Sequence, residues 1–154
     1  MSSQPMPGKF SSGLLQALRG LNPVQRFPKG APLFQQGSPA TGVYLVERGE
    51  VRVLLPLGKN RRQLLEIVGP GNLLGLRESM CGETYRVCAE STDETMAVFV
   101  PREELLKFFR EHGDFCMEVV RLLSEDLHGL YDKFRTISAH PGRPRQRPPH
   151  EQLN

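Results

Sequence analysis

Residues 43–55 read VYLVERGEVRVLL, and this stretch decides the fold class. It begins with the apolar run Val43 to Val46, and after a turn-like Arg48-Gly49-Glu50 segment apolar residues alternate with Arg52. Alternation with a period of two residues is typical of β-strands that bury one face. The stretch therefore predicts two short strands joined by a turn.

Glycines divide the chain on both sides of this stretch. Nine of them fall within residues 30–82, and short apolar segments lie between them, including the alternating residues Leu65-Glu66-Ile67. A further run without glycine, residues 86–100, continues the strand pattern. Many short strands without intervening helices indicate a sandwich or a barrel rather than a βαβ fold.

Helical patterns flank the predicted β block. Before it, four leucines recur at helical spacing within residues 14–21, and after it residues 102–111 form a second helical pattern. Pro101 stands directly before that second pattern, where proline is tolerated at the start of a helix. We therefore expect one short helix on each side of the strands.

The most regular pattern is an apolar seam in a long helix predicted from about residue 113. Its members are separated alternately by four and three residues: Cys116, Val120, Leu123, Leu127, Leu130, Phe134 and Ile137. Such a heptad seam indicates a coiled coil. We predict a homodimer of parallel long helices, with an interface formed by Val120, Leu123, Leu127, Leu130, Phe134 and Ile137. The alternative is that the seam packs into a monomeric core.

Composition favours one globular domain in the cytoplasm. The chain has 154 residues and a net charge of +3, and it has neither an apolar run of about 20 residues nor the h-region of a secretory signal. We expect a flexible segment at residues 1–10, one domain at 11–137, and a disordered, basic, proline-rich tail at 138–154. The three cysteines lack the spacing of zinc ligands.

The sequence offers no catalytic or metal site. All four histidines follow the β block, so they are not available to line the interior of a barrel. Neither a GxSxG motif nor a P-loop occurs. We expect no enzyme activity, and an enzyme built on the β block is kept only as a third alternative without residues to assign.

One segment has the character of an anion site. Residues 69–89 read GPGNLLGLRESMCGETYRVCA, which predicts a glycine-rich turn, a short helix and a strand. Backbone N–H groups of such a turn can point at an anion, and Arg77 and Arg86 add positive charge near both ends of the helix. The alternative is that this segment is only a corner of the barrel.

The order of elements resembles a known family over about residues 20–137. The resemblance is carried by PKGAPLFQQGSPATGVYLVERGEVRV at 28–53, GPGNLLG at 69–75 and VFVPREEL at 98–105. These segments are similar to the cyclic-nucleotide-binding domain of the catabolite-activator and fumarate-nitrate regulator family. The resemblance implies a mainly β jelly-roll sandwich with flanking helices, a short phosphate-binding helix and a long C-terminal dimerisation helix.

The candidate ligand residues depart from that family. Members that bind cyclic AMP carry a Gly-Glu pair that holds the ribose and an Arg that grips the phosphate, whereas this chain has Gly75-Leu76 and Tyr85 at the matching positions. Arg86 follows one position late and is expected to face away from the site. The resemblance also places Arg77 on the short helix and Tyr131 where the long helix covers the pocket. We expect no cofactor, and no cyclic nucleotide bound in the usual manner.

Function follows as an expectation from these features. Only 17 residues follow Ile137, too few for the helix-turn-helix domain of the transcription factors in this family, and the cysteines of an iron-sulfur cluster are absent. We expect a sensory and dimerisation module that acts on a protein partner in signalling or transcription, with a nucleotide or small anion as its ligand class. The alternatives are the sensory part of a longer transcription factor, and a regulator that binds nucleic acid weakly and without sequence preference through Arg135, Arg143, Arg145 and Arg147.

Overall fold

A computed structural model describes residues 10–124 of the chain. The elements run in the order α1 (Ser12–Arg19), β1 (Val24–Phe27), β2 (Pro32–Phe34), β3 (Gly42–Arg48), β4 (Val51–Pro56), β5 (Arg62–Val68), β6 (Leu73–Leu74), α2 (Leu76–Cys81), β7 (Cys88–Ser91), β8 (Thr95–Pro101) and α3 (Arg102–Glu111). The predicted pair of strands on either side of Gly49 is confirmed as β3 and β4.

The eight strands form two four-stranded sheets. One has the strand order β1-β8-β3-β6 and the other the order β2-β7-β4-β5, and all the strand pairs are antiparallel. A cluster of buried side chains lies within this fold and includes Phe34, Val46, Val53 and Tyr85. The two sheets and the flanking helices confirm the predicted jelly-roll sandwich. Alternate strand residues supply its apolar interior.

Strand β5 departs from the sequence prediction. The strand predicted from Leu65-Glu66-Ile67 is present, but Leu64 and Leu65 are 51% and 46% exposed, so the alternation in sequence is not matched by alternation in burial. The physical reason is that β5 is an edge strand and carries an irregularity: Val53 pairs with Glu66 but Leu54 pairs with Leu64, which leaves Leu65 as an extra residue. Such a bulge disturbs the alternation of side chains.

The two flanking helices have clear local causes. The hydroxyl of Ser11 accepts a hydrogen bond from the N–H of Leu14 at 3.2 Å and caps α1. Leu14 and Leu18 are buried, whereas Leu21 lies beyond the end of the helix and is exposed. Helix α3 has the predicted bounds and begins directly after Pro101.

A further helical segment occupies residues 113–124, and the chain divides into two units after Cys116. Val120 and Leu123 lie on this segment. The other interface residues, Leu127, Leu130, Phe134 and Ile137, lie outside the described residues together with Tyr131, residues 1–9 and the tail at 138–154. Within residues 10–124, no helix has both the length and the apolar character needed to span a membrane.

Candidate functional site

The candidate site is built around the six-residue helix α2. Gly75 precedes the helix with φ +82°, and Gly82 follows it with φ +71°, conformations that favour glycine. A side chain at Gly75 would also collide with the ring of Tyr85, because a Cβ atom there would lie 2.8 Å from Cε1. Glycine at this position therefore lets Tyr85 pack directly against the start of α2.

Tyr85 is the central side chain of the site. It is 3% exposed, and its ring stacks on Phe34 with the centroids 4.0 Å apart and the planes at 14°. Its hydroxyl donates a hydrogen bond to the Gly42 carbonyl at 2.7 Å. Burial raises the pKa of Tyr85 above its ordinary value, so the hydroxyl stays neutral and able to donate at physiological pH.

Ser79 of α2 binds the same carbonyl. Its Oγ donates to the Gly42 oxygen at 2.7 Å, and the side chain is completely buried. We call the two hydroxyls of Ser79 and Tyr85 on the Gly42 carbonyl the hydroxyl clamp. Sequence reasoning missed Ser79 and Gly42, because 37 residues separate them and no local pattern relates the two.

Arg102 connects α2 with the start of α3. Its Nε donates to the Ser79 carbonyl at 2.7 Å, and its backbone N–H donates to the Thr41 carbonyl at 2.7 Å. A cationic side chain that hydrogen-bonds a carbonyl near the end of a helix is favourable, because the carbonyls of the last turn lack partners within the helix. Arg102 therefore fixes the end of α2 opposite to Gly75.

The predicted ligand residues do not all face the same side. Leu76 and Tyr85 are buried, whereas Arg77 is exposed on α2. The Arg86 side chain is 70% exposed and pairs with Glu83 at 3.4 Å, while its backbone N–H donates to the Glu78 carboxylate at 3.3 Å. Tyr85 is thus buried and Arg86 exposed, but the two residues precede β7 in irregular backbone rather than lying in a strand as the sequence predicted, so strand alternation is not the cause.

The interior beside α2 contains hydroxyls and aromatic rings rather than charges. Within residues 10–124, the buried polar residues are Ser79, Ser91 and Thr95, none of which carries a charge, and of these Ser79 is the one that belongs to α2. Tyr44 lies beside Phe34, with ring centroids 5.9 Å apart. Burying an unpaired anion among such groups is strongly unfavourable.

A cleft of about 570 Å³ lies beside the end of α2. It is lined by Thr41, Gly82 and Arg102 together with the carboxylates of Glu83 and Glu103. Anion binding is not favoured here, because two carboxylates lie next to one guanidinium. That guanidinium is itself bonded to the Ser79 carbonyl. The cleft therefore lacks the net positive charge that an anion site needs.

Comparison with known proteins identifies the family. Residues 24–112 match the cyclic nucleotide-binding domain family. A "CRP-like cAMP-activated global transcriptional regulator" of Mycobacterium tuberculosis is 25% identical over 78% of this chain and 53% of its own length. The "Cyclic AMP receptor protein" of Thermus thermophilus is 35% identical over 68% of this chain and 44% of its own length.

Solved structures share the fold. The catabolite activator protein of Thermus thermophilus superposes with a TM-score of 0.72 at 22% identity, covering 83% of this chain and 60% of that one. The chain spans about half the length of the two curated relatives. The resemblance found in the sequence is confirmed. Because the family match covers more than half of its residues, this chain belongs to the cyclic nucleotide-binding domain family.

Proposed function

We propose that this chain is a regulatory module of the cyclic-nucleotide-binding fold whose pocket does not grip a cyclic nucleotide in the usual manner. It acts in the cytoplasm, without catalysis, by dimerising and by contacting a protein partner in signalling or transcription. Family membership supports the regulatory role, and the names of the curated relatives support a link to transcription.

The observation that carries this proposal is the position of Tyr85. Its neutral ring is buried against Phe34 where the family resemblance expects a cationic side chain for the phosphate. Leu76, also buried, takes the position of the carboxylate expected to hold the ribose. A bidentate, charge-assisted contact to phosphate is a strong interaction in a binding pocket, and neither residue can form it.

We expect the unmodified protein to bind neither cyclic AMP nor cyclic GMP in the micromolar range. Titration calorimetry of the full chain with each nucleotide is the measurement, since it needs no assumption about the binding mode. Micromolar binding would contradict the proposal, and it would mean that Arg77 or Arg86 holds the phosphate. In that event, loss of binding in Arg77→Ala or Arg86→Ala identifies the residue.

The proposed dimer rests on the heptad seam. An aspartate in place of Leu127 would bring an unpaired charge into each half of a coiled-coil interface, which is strongly unfavourable. We therefore expect Leu127→Asp to be monomeric by light scattering. The matched control is Ser124→Asp, which adds the same charge off the seam and leaves the dimer intact. A monomeric unmodified protein at micromolar concentration would show that the seam is not a dimer interface.

A second candidate function is the sensory part of a longer transcription regulator. It is favoured by the lengths and names of the curated relatives, of which this chain matches about half. The reading frame and the size of the protein in its native cell distinguish the two candidates. A product of 17.3 kDa supports the stand-alone module, and a product nearly twice as large supports the longer regulator.

A further inference from the structure

We propose that Tyr85 fixes the short helix α2 against β3 in the absence of any ligand, so that the chain itself sets the position of α2. The inference rests on the proposed function in one respect only, namely that no cyclic nucleotide occupies the pocket. It assigns Tyr85 and Ser79 as positioning residues and Gly42 as the backbone anchor that they share.

The orientation of the Gly42 carbonyl explains why an anchor exists here. The Thr41 carbonyl accepts the N–H of Arg102, the residue after β8, and successive carbonyls along a strand point in opposite directions. The Gly42 carbonyl therefore points towards the β6 side of β3. The register that pairs Tyr44 with Leu74 would bring residue 76 opposite Gly42, but Leu76 already belongs to α2. Two side-chain hydroxyls supply the donors that a continued strand would have provided.

Helix α2 depends on such tertiary contacts. With six residues it is far shorter than the roughly 12–15 residues at which isolated helices become marginally stable. Leu76 and Ser79 are its buried residues. The contacts that hold it include the packing of Leu76, the hydroxyl clamp, the bond from Arg102 to the Ser79 carbonyl, and the bond from the Arg86 N–H to the Glu78 carboxylate.

The clamp has a consequence for signalling. Arg102 is the first residue of α3, and its side chain bonds the Ser79 carbonyl of α2. A fixed α2 therefore also fixes this bond to the start of α3. In a domain whose helix α2 is ordered by a ligand, this link would change on binding. Here Tyr85 keeps it formed without ligand, so we expect the ligand-free protein to remain in a single arrangement of α2.

Hydrogen exchange of the full ligand-free chain tests the inference. Tyr85→Phe keeps the ring on Phe34 and removes only the hydroxyl, so the amides of residues 76–85 should exchange about 3- to 10-fold faster. Ser79→Ala should accelerate the same amides to a similar extent. Strand β4 pairs with β5 and β7 and takes no part in the clamp hydrogen bonds, so its amides should exchange unchanged. The matched control is Tyr44→Phe, which removes a hydroxyl from the same aromatic cluster without removing a bond to Gly42.

Two results would overturn the inference. Unchanged exchange at residues 76–85 in both Tyr85→Phe and Ser79→Ala would mean that the clamp does not hold α2. Equal acceleration in α2 and β4 would mean that the hydroxyls support the whole fold rather than this helix. Failure of the proposed function is separate, because it is detected by nucleotide binding to the unmodified protein and leaves the ligand-free exchange rates as they are.

Discussion

Leu76→Glu combined with Tyr85→Arg should raise the affinity for cyclic AMP by roughly two to four powers of ten. The two substitutions return the carboxylate expected at the ribose and the guanidinium expected at the phosphate. A hydrogen bond to a charged group contributes about 1.5–3 kcal/mol, and each 1.4 kcal/mol is about a tenfold change in affinity. Titration calorimetry with cyclic AMP measures the gain directly.

The same double variant should be less stable than the unmodified protein until cyclic AMP is added. Tyr85 is 3% exposed and stacks on Phe34, so an arginine at this position loses the stack and buries a charge without a partner. A ligand that binds only the folded state restores stability by mass action. Thermal unfolding with and without cyclic AMP should therefore show a large ligand-dependent shift in the variant and little shift in the unmodified protein.

A matched control separates charge from polarity. Leu76→Gln with Tyr85→Gln makes both positions polar but leaves them neutral, and it should gain no measurable affinity. If the charged double variant folds and also gains none, the backbone around α2 does not have the shape of a nucleotide cradle. The domain would then be a scaffold or a sensor of a different kind of ligand.

Local pattern was sufficient to predict much of the fold. The alternation on both sides of Gly49 predicted β3 and β4, and Pro101 together with the apolar spacing after it predicted the bounds of α3. The pattern failed at Leu65, because a strand at the edge of a sheet is not forced to bury one face and tolerates an extra residue. Burial at an edge depends on tertiary neighbours that the local sequence does not contain.

The candidate site was likewise predicted only in part from the sequence. The prediction that Arg86 faces away from the site agrees with a buried Tyr85 and an exposed Arg86, but the predicted strand begins only at Cys88, so its alternation does not account for the result. The roles of Ser79 and Gly42 could not be predicted, because a serine in a short helix is ordinarily a surface residue. The Gly42 carbonyl accepts the Ser79 hydroxyl only because β6 ends at Leu74 and no strand residue lies opposite Gly42.

Gly42→Ala should lower the free energy of unfolding by roughly 2–6 kcal/mol, combining overpacking with loss of the two clamp bonds. An added Cβ would lie 2.4 Å from the Val100 carbonyl oxygen and 2.6 Å from the Phe99 ring. Val100 belongs to the strand paired with β3, so relief of the contact displaces β3 and shifts the Gly42 carbonyl out of its hydrogen-bonding position against Ser79 and Tyr85. Thermal unfolding should show a Tm lower by about 10 °C or more.

Gly20→Ala is the control, because its Cβ would meet only atoms at 3.7 Å or beyond. Equal Tm values for the two variants would contradict this prediction and would mean that β3 and β8 accommodate the added methyl group with the clamp bonds intact.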